Sequence, residues 1–197
     1  MDSSNLEDEI AQESSSFSAE QLINQAIEFH LKGNIPEAEK YYQIFLDRGF
    51  SDARVNSNLG QILRAKGNLK EAELLTRQAI KMVPNFADAL YNLGGILIDR
   101  GEPQEAELST RKAIKLVPNH ANAHYNLACI LNAKDNVTEA FDSFLKTNEI
   151  NPEFPNILQT ISIFLNKANP ALLNQSKLKN ILTLLLENNN IPHRLLF

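Results

Sequence analysis

The chain of 197 residues has no Trp, one Cys, only 7 Gly and 8 Pro, and no long apolar run. With Cys129 alone, no intrachain disulfide can form, which is compatible with a reducing compartment. No apolar stretch approaches the roughly 18 residues that a membrane helix needs. The N-terminus is acidic and Ser-rich without an apolar core, so it does not read as a secretory signal. A basic excess is missing too. The net charge is -5, and Asp2, Glu7, Asp8, Glu9 and Glu13 fall in residues 1–17, which hold no Lys or Arg. The remaining acids and bases balance. A neutral body offers no electrostatic case for nucleic acid or for an anionic membrane, both of which need clustered Lys and Arg. The expectation is a cytoplasmic chain with protein or peptide partners.

Chemistry-bearing motifs are also absent. There is no Gly-rich phosphate loop and no nucleophile elbow, so no enzyme activity and no cofactor are expected. His120 and His124 stand at i, i+4, a spacing that can bind metal, but no third ligand cluster supports them and no metal is expected. Both fall in repeat columns, and packing is the preferred reading. Cys129 lacks a nearby His and Asp signature, so a buried or groove-lining thiol is preferred to a nucleophile. Glu37, Glu71, Glu105 and Glu139 form a surface-facing column rather than paired catalytic carboxylates.

What the sequence has is a period. Residues 53–86, 87–120 and 121–154 align without a gap at 34-residue spacing, and residues 19–52 follow in looser register. Ala26, Gly60, Gly94 and Ala128 share one column, and Ala38, Ala72, Ala106 and Ala140 another. Small residues there let two helices approach. Leu59, Leu93 and Leu127 pair with Leu63, Leu97 and Leu131 at i, i+4, an apolar helical stripe. Gly33, Gly67 and Gly101 fall where a first helix must stop in a left-handed turn, and Asp135-Asn136 takes that place in the fourth unit. Pro84, Pro118 and Pro152 end the second helices. Phe50 occupies that column in the first unit, so a less sharp ending is expected there. The chain is therefore expected to be all-α, with helix pairs that bury their faces by stacking.

The spacing Asn-Leu-Gly, then Leu, Gly, Glu-Ala, Ala-Ile and Pro-Asn resembles the tetratricopeptide repeat (TPR) family over residues 19–154. The likeness implies a right-handed α-solenoid of stacked antiparallel helix pairs. A finer likeness is to the TPR arrays of protein O-GlcNAc transferases and related bacterial proteins, carried by Glu-Ala-Glu at 71–73 and Pro-Asn-Phe-Ala-Asp-Ala at 84–89. Residues 1–17 read as a disordered acidic tail. Residues 155–190 read as a degenerate capping helix pair, broken at Asn169-Pro170. Residues 191–197, with Ile191, Leu195, Leu196 and Phe197, are an apolar end. That end suggests a fragment or a docking tail, and a route to a homo-oligomer.

The resemblance also implies that first helices line a concave groove. Asn24, Asn58, Asn92 and Asn126 then fall in one row, 34 residues apart. An amide offers a donor and an acceptor, enough to pair with a peptide backbone. The row resembles the asparagine ladder of the O-GlcNAc transferase arrays, and equally suits residues that only solvate the groove. Helical spacing adds Arg54, Gln61, Arg64, Asp88, Tyr91, Asp99, Asn122, Tyr125, Cys129 and Asn132 to that face. Tyr91 and Tyr125 suit ligand packing or spacing between helices. Some TPR domains grip a chaperone's C-terminal carboxylate with Lys and Arg on successive repeats. Here Arg54 and Arg64 sit in one unit, and Asp88 and Asp99 follow with the wrong sign. Two functions result: a module that binds an extended peptide or partner protein, or the substrate-recognition arm of a larger transferase, such as a glycosyltransferase.

Overall fold

The small-residue columns decide how closely the helices pair. In the computed structural model, which describes residues 16–187, ten α-helices are present and no strand occurs among the described residues. They are α1 (Ala19–Leu31), α2 (Ile35–Asp47), α3 (Ala53–Ala65), α4 (Leu69–Met82), α5 (Ala87–Asp99), α6 (Pro103–Leu116), α7 (Ala121–Ala133), α8 (Val137–Ile150), α9 (Ile157–Lys167) and α10 (Gln175–Glu187). A 3₁₀ turn, Pro170–Leu172, links the last two. The fold is all-α, built of antiparallel helix pairs: α1/α2, α3/α4, α5/α6 and α7/α8 each run in close contact. Contacts divide the chain into two compact units, Met1–Pro84 and Asn85–Phe197. Of the expected tail and apolar end, residues 1–15 and 188–197 lie outside the described residues.

The first unit holds α1 to α4. Ser18 opens α1 through a capping box with Gln21: Gln21 N donates to Ser18 Oγ at 3.2 Å and Ser18 N donates to Gln21 Oε1 at 2.8 Å. Arg48 Nη1 donates to the Phe17 carbonyl at 3.0 Å, fixing the approach to α1. Ala26, Ala38, Ala72 and Ala79 are fully buried at the helix crossings. A methyl at Gly60 would collide with Thr76 Oγ1 and lie 3.0 Å from the Ala72 carbonyl oxygen. Thr76 itself donates to that carbonyl at 2.7 Å. The turn after α2 is tighter than the missing proline suggests. Gly49 takes φ 75°, Gly49 N donates to Leu46 O at 2.8 Å and Phe50 N to Phe45 O at 3.3 Å. A glycine C-cap thus closes the helix one residue before Phe50, correcting the expectation of a loose ending.

The second unit holds α5 to α10. Gly94 faces Thr110 as Gly60 faces Thr76, and an added methyl would collide with Thr110 Oγ1. The other two pairs place Ala26 in the column across from Tyr42 and Ala128 across from Phe144. Glycine thus accompanies the branched Thr and alanine accompanies a planar ring. Asp135 takes φ 57° at the end of α7, the left-handed turn that Gly makes at positions 33, 67 and 101. The core continues from Leu127, Leu131, Phe141 and Phe144 into Ile157, Ile161, Phe164, Leu173, Ile181 and Leu185. The chain beyond the fourth repeat is thereby bound to α7 and α8. α9 and α10 lack the small-residue columns and do not approach as the repeat pairs do.

Ion pairs staple one pair to the next at the repeat period. In the first unit Lys66 Nζ donates to both Glu39 oxygens at 2.7 and 2.8 Å. In the second, Lys134 bonds Glu107 in the same two columns. Arg111 Nε also donates to Glu107 Oε1 at 2.8 Å, and Arg111 Nη2 lies 2.7 Å from Glu139 Oε1. The Lys134 bond, with help from Arg111, holds the Glu107 carboxyl below the usual range.

Two outcomes follow for stability. Gly60→Ala or Gly94→Ala destabilises its unit by about 1–3 kcal/mol from overpacking, although Ala is the better helix former. Adding Thr110→Ala to Gly94→Ala restores most of the loss, since the Thr110 hydroxyl has no partner. Urea denaturation reads both effects. Glu107→Gln lowers stability at neutral pH by about 1 kcal/mol. A carboxylate with a depressed folded pKa stabilises above the unfolded value and loses that contribution as pH falls. The gap between wild type and Glu107→Gln therefore closes towards about pH 3. A gap independent of pH contradicts the ion-pair account.

Candidate peptide-binding face

The face in question is the side of each first helix turned away from its partner. At about 100° per residue, Asp88, Asn92, Gly95 and Asp99 cluster on α5 opposite the side that Gly94 turns to α6. Asn122, Asn126 and Cys129 do the same on α7. In the first unit, Asn24 on α1 and Asn58 and Gln61 on α3 share that placement. These residues share one kind of face within each unit, whereas Arg64, Tyr91, Tyr125 and Asn132 lie nearer the side that the small residues turn to the partner helix.

The four Asn residues nevertheless stand in different surroundings. Asn24 is exposed. Asn58 is half-buried, and its Nδ2 donates to the Tyr42 hydroxyl at 2.9 Å. Tyr42 is fully buried, and His30 Nδ1 lies 3.4 Å from the same oxygen. Burial pushes the Tyr42 phenol up and the His30 imidazole down. Asn92 is only 6% exposed. Asn126 is half-buried, and its Nδ2 is enclosed without a hydrogen-bond partner. A buried amide hydrogen with no acceptor is costly.

Neighbouring side chains divide in the same way. Arg54 forks onto Asp52, the N-cap of its own helix, with Nε 3.1 Å from Oδ1 and Nη2 2.9 Å from Oδ2. The Arg54 side-chain bond holds the Asp52 carboxyl below its usual range. Gln61, Asp99, Asn122 and Asn132 are exposed, and Arg64 is half-buried. Tyr125 packs at 6.0 Å from the Phe144 ring and 5.0 Å from Phe154, and its hydroxyl bonds the side chains of Thr160 and Cys129. It is a spacer between helices and still half open. Burial raises the Cys129 thiol, which argues against a nucleophile. His120 and His124 point to different partners. His120 Nδ1 accepts from Ala123 N at 3.2 Å, capping α7, while His124 Nε2 donates to the Pro118 carbonyl at 2.9 Å. Among the described residues no three His, Cys, Asp or Glu side chains gather.

Sequence reasoning missed Tyr42, Thr160 and Phe154 as partners of the face. It also missed a groove of about 450 Å³ between α8 and α10, floored by Leu145, Ile181 and Leu184. The signal for His120 was present: it stands in the column of Asp52, immediately before a first helix, where capping residues belong.

Two family models, both described as tetratricopeptide repeat, match the chain over residues 31–77 and 87–120. The chain carries tetratricopeptide repeats. Among curated proteins, none matches it. Solved structures share the fold. PilF of Pseudomonas aeruginosa superposes with TM-score 0.70 at 19% identity, over 90% of this chain and 79% of that one. YrrB, a TPR protein with an unusual peptide-binding site, gives 0.65 at 21%, over 94% and 93%. MamA from Desulfovibrio magneticus RS-1 (residues 41 to the end) gives 0.65 at 17%, over 87% and 97%. These likenesses establish the repeat and its fold, and the finer likeness to O-GlcNAc transferase arrays finds no support among them. TPR proteins generally mediate protein–protein interactions. No helix among the described residues is long and apolar enough to cross a membrane.

The shared Asn column yields a contrast in stability. Asn58→Ala costs about 1 kcal/mol, because the buried Tyr42 hydroxyl loses its donor. Asn126→Ala changes stability by less than about 0.5 kcal/mol, because no bond is lost there. Thermal denaturation of both variants tests this, and equal losses contradict the assignment.

Proposed function

We propose that this TPR protein is a non-enzymatic interaction module that holds an extended peptide, or a partner's extended segment, against its first helices. The exposed amide of Asn122, one turn before half-buried Asn126 on α7, carries the reading: it stands on that face and offers a peptide backbone both a donor and an acceptor. Tyr91 and Tyr125, half open, present aromatic area at low entropy cost. The peptide-binding site named for YrrB lends support by likeness of fold alone. Asn92 contributes less, since it is buried. The ladder is therefore uneven. The transferase-arm alternative rested on the apolar end at 191–197, which lies outside the described residues.

Asn122→Ala weakens binding of a captured peptide by about 0.5–1.5 kcal/mol, the worth of one hydrogen bond. Asn92→Ala weakens it by less. Isothermal titration on folded variants measures this. Unchanged affinity for Asn122→Ala removes the main support for the groove.

A further inference from the structure

We infer that Asp88, Tyr91 and His120 together select a Lys or Arg side chain on the bound segment; this rests on the peptide-binding reading above. Asp88 lies in the first turn of α5, Tyr91 follows one turn on, and His120 caps α7. His120 Nδ1 accepts the Ala123 amide hydrogen, so the ring proton resides on Nε2. Nε2 lies 3.3 Å from Asp88 Oδ1, on the carboxylate side of the ring. The imidazole side chain is 13% exposed and the carboxylate 70%. The ring thus stands behind the acid and orients it towards solvent.

The Tyr91 ring lies 5.0 Å from the His120 ring at 41°, which sets a phenol beside the acid. A ligand cation is then offered a preoriented carboxylate and an aromatic face, the two groups that attract guanidinium and ammonium. The rest of this face on α5 and α7 carries Asn92, Gly95, Asp99, Asn122, Asn126 and Cys129, with no Lys or Arg. The complement to Asp88 is therefore a basic side chain. His120 is a positioning residue: it touches Asp88 and not the ligand.

The test uses the full chain and a library of extended peptides of about ten residues, with each position fixed in turn as Lys, Arg, Glu or norleucine. Binding is read by fluorescence anisotropy, as the ratio of Lys or Arg to norleucine at each position. One position is expected to show a ratio of about ten, the combined worth of a partly exposed ion pair and a cation–π contact. Asp88→Asn collapses that ratio to about one. His120→Asn keeps an acceptor for the α7 cap and lowers the ratio about threefold. Salt at about 0.5 M also lowers it. A library that binds with no preference for a base overturns this inference and leaves the groove standing. So does a ratio that survives Asp88→Asn. A library that does not bind at all overturns the groove and this inference together.

Discussion

Two helices can pack at the distance of these pairs only if small residues stand at their crossing. Gly60 and Gly94 meet a threonine, with no room for one more carbon. The Ala columns on the second helices are fully buried. Because the crossing recurs once per helix pair, it imposes a fixed repeat length. That length carries the turns, the prolines and the Lys–Glu staples with it. Where the small columns stop, after α8, the helices no longer pair as closely, and large side chains such as Phe164 and Leu185 fill the wider space.

The same crossing settles which face turns away from the partner helix. A first helix that spends its small-residue side on its partner has its opposite side left for other uses. The face with Asp88, Asn92 and Asp99 is the geometric complement of Gly94. Side chains there satisfy two demands, being held in place and remaining partly available. Tyr125 shows the compromise: its ring packs against Phe144 and Phe154 while part of it stays open. Asp52 and Arg54 resolve it the other way, since the guanidinium is consumed at its own helix cap.

Electrostatics follows from the caps rather than from net charge. The body is nearly balanced, yet a helix start can be closed by Ser18, by Asp52 or by His120. The choice matters beyond the cap. A carboxylate at that place recruits Arg54, whereas an imidazole, which accepts on one nitrogen and donates on the other, reaches back to Asp88 on the preceding first helix. Column identity is constant and local chemistry is not.

By itself the sequence determined the all-α class, the repeat length and the left-handed turns at Gly33, Gly67, Gly101 and Asp135. Helical periodicity and backbone sterics are local, so a single chain displays them. Only tertiary structure decided that Asn58 serves Tyr42 while Asn126 lacks a partner, that Gly49 closes α2, and that His120 stands behind Asp88. Those outcomes depend on which side chain of a neighbouring helix arrives within about 3 Å, and a column of identical Asn residues carries no record of that neighbour.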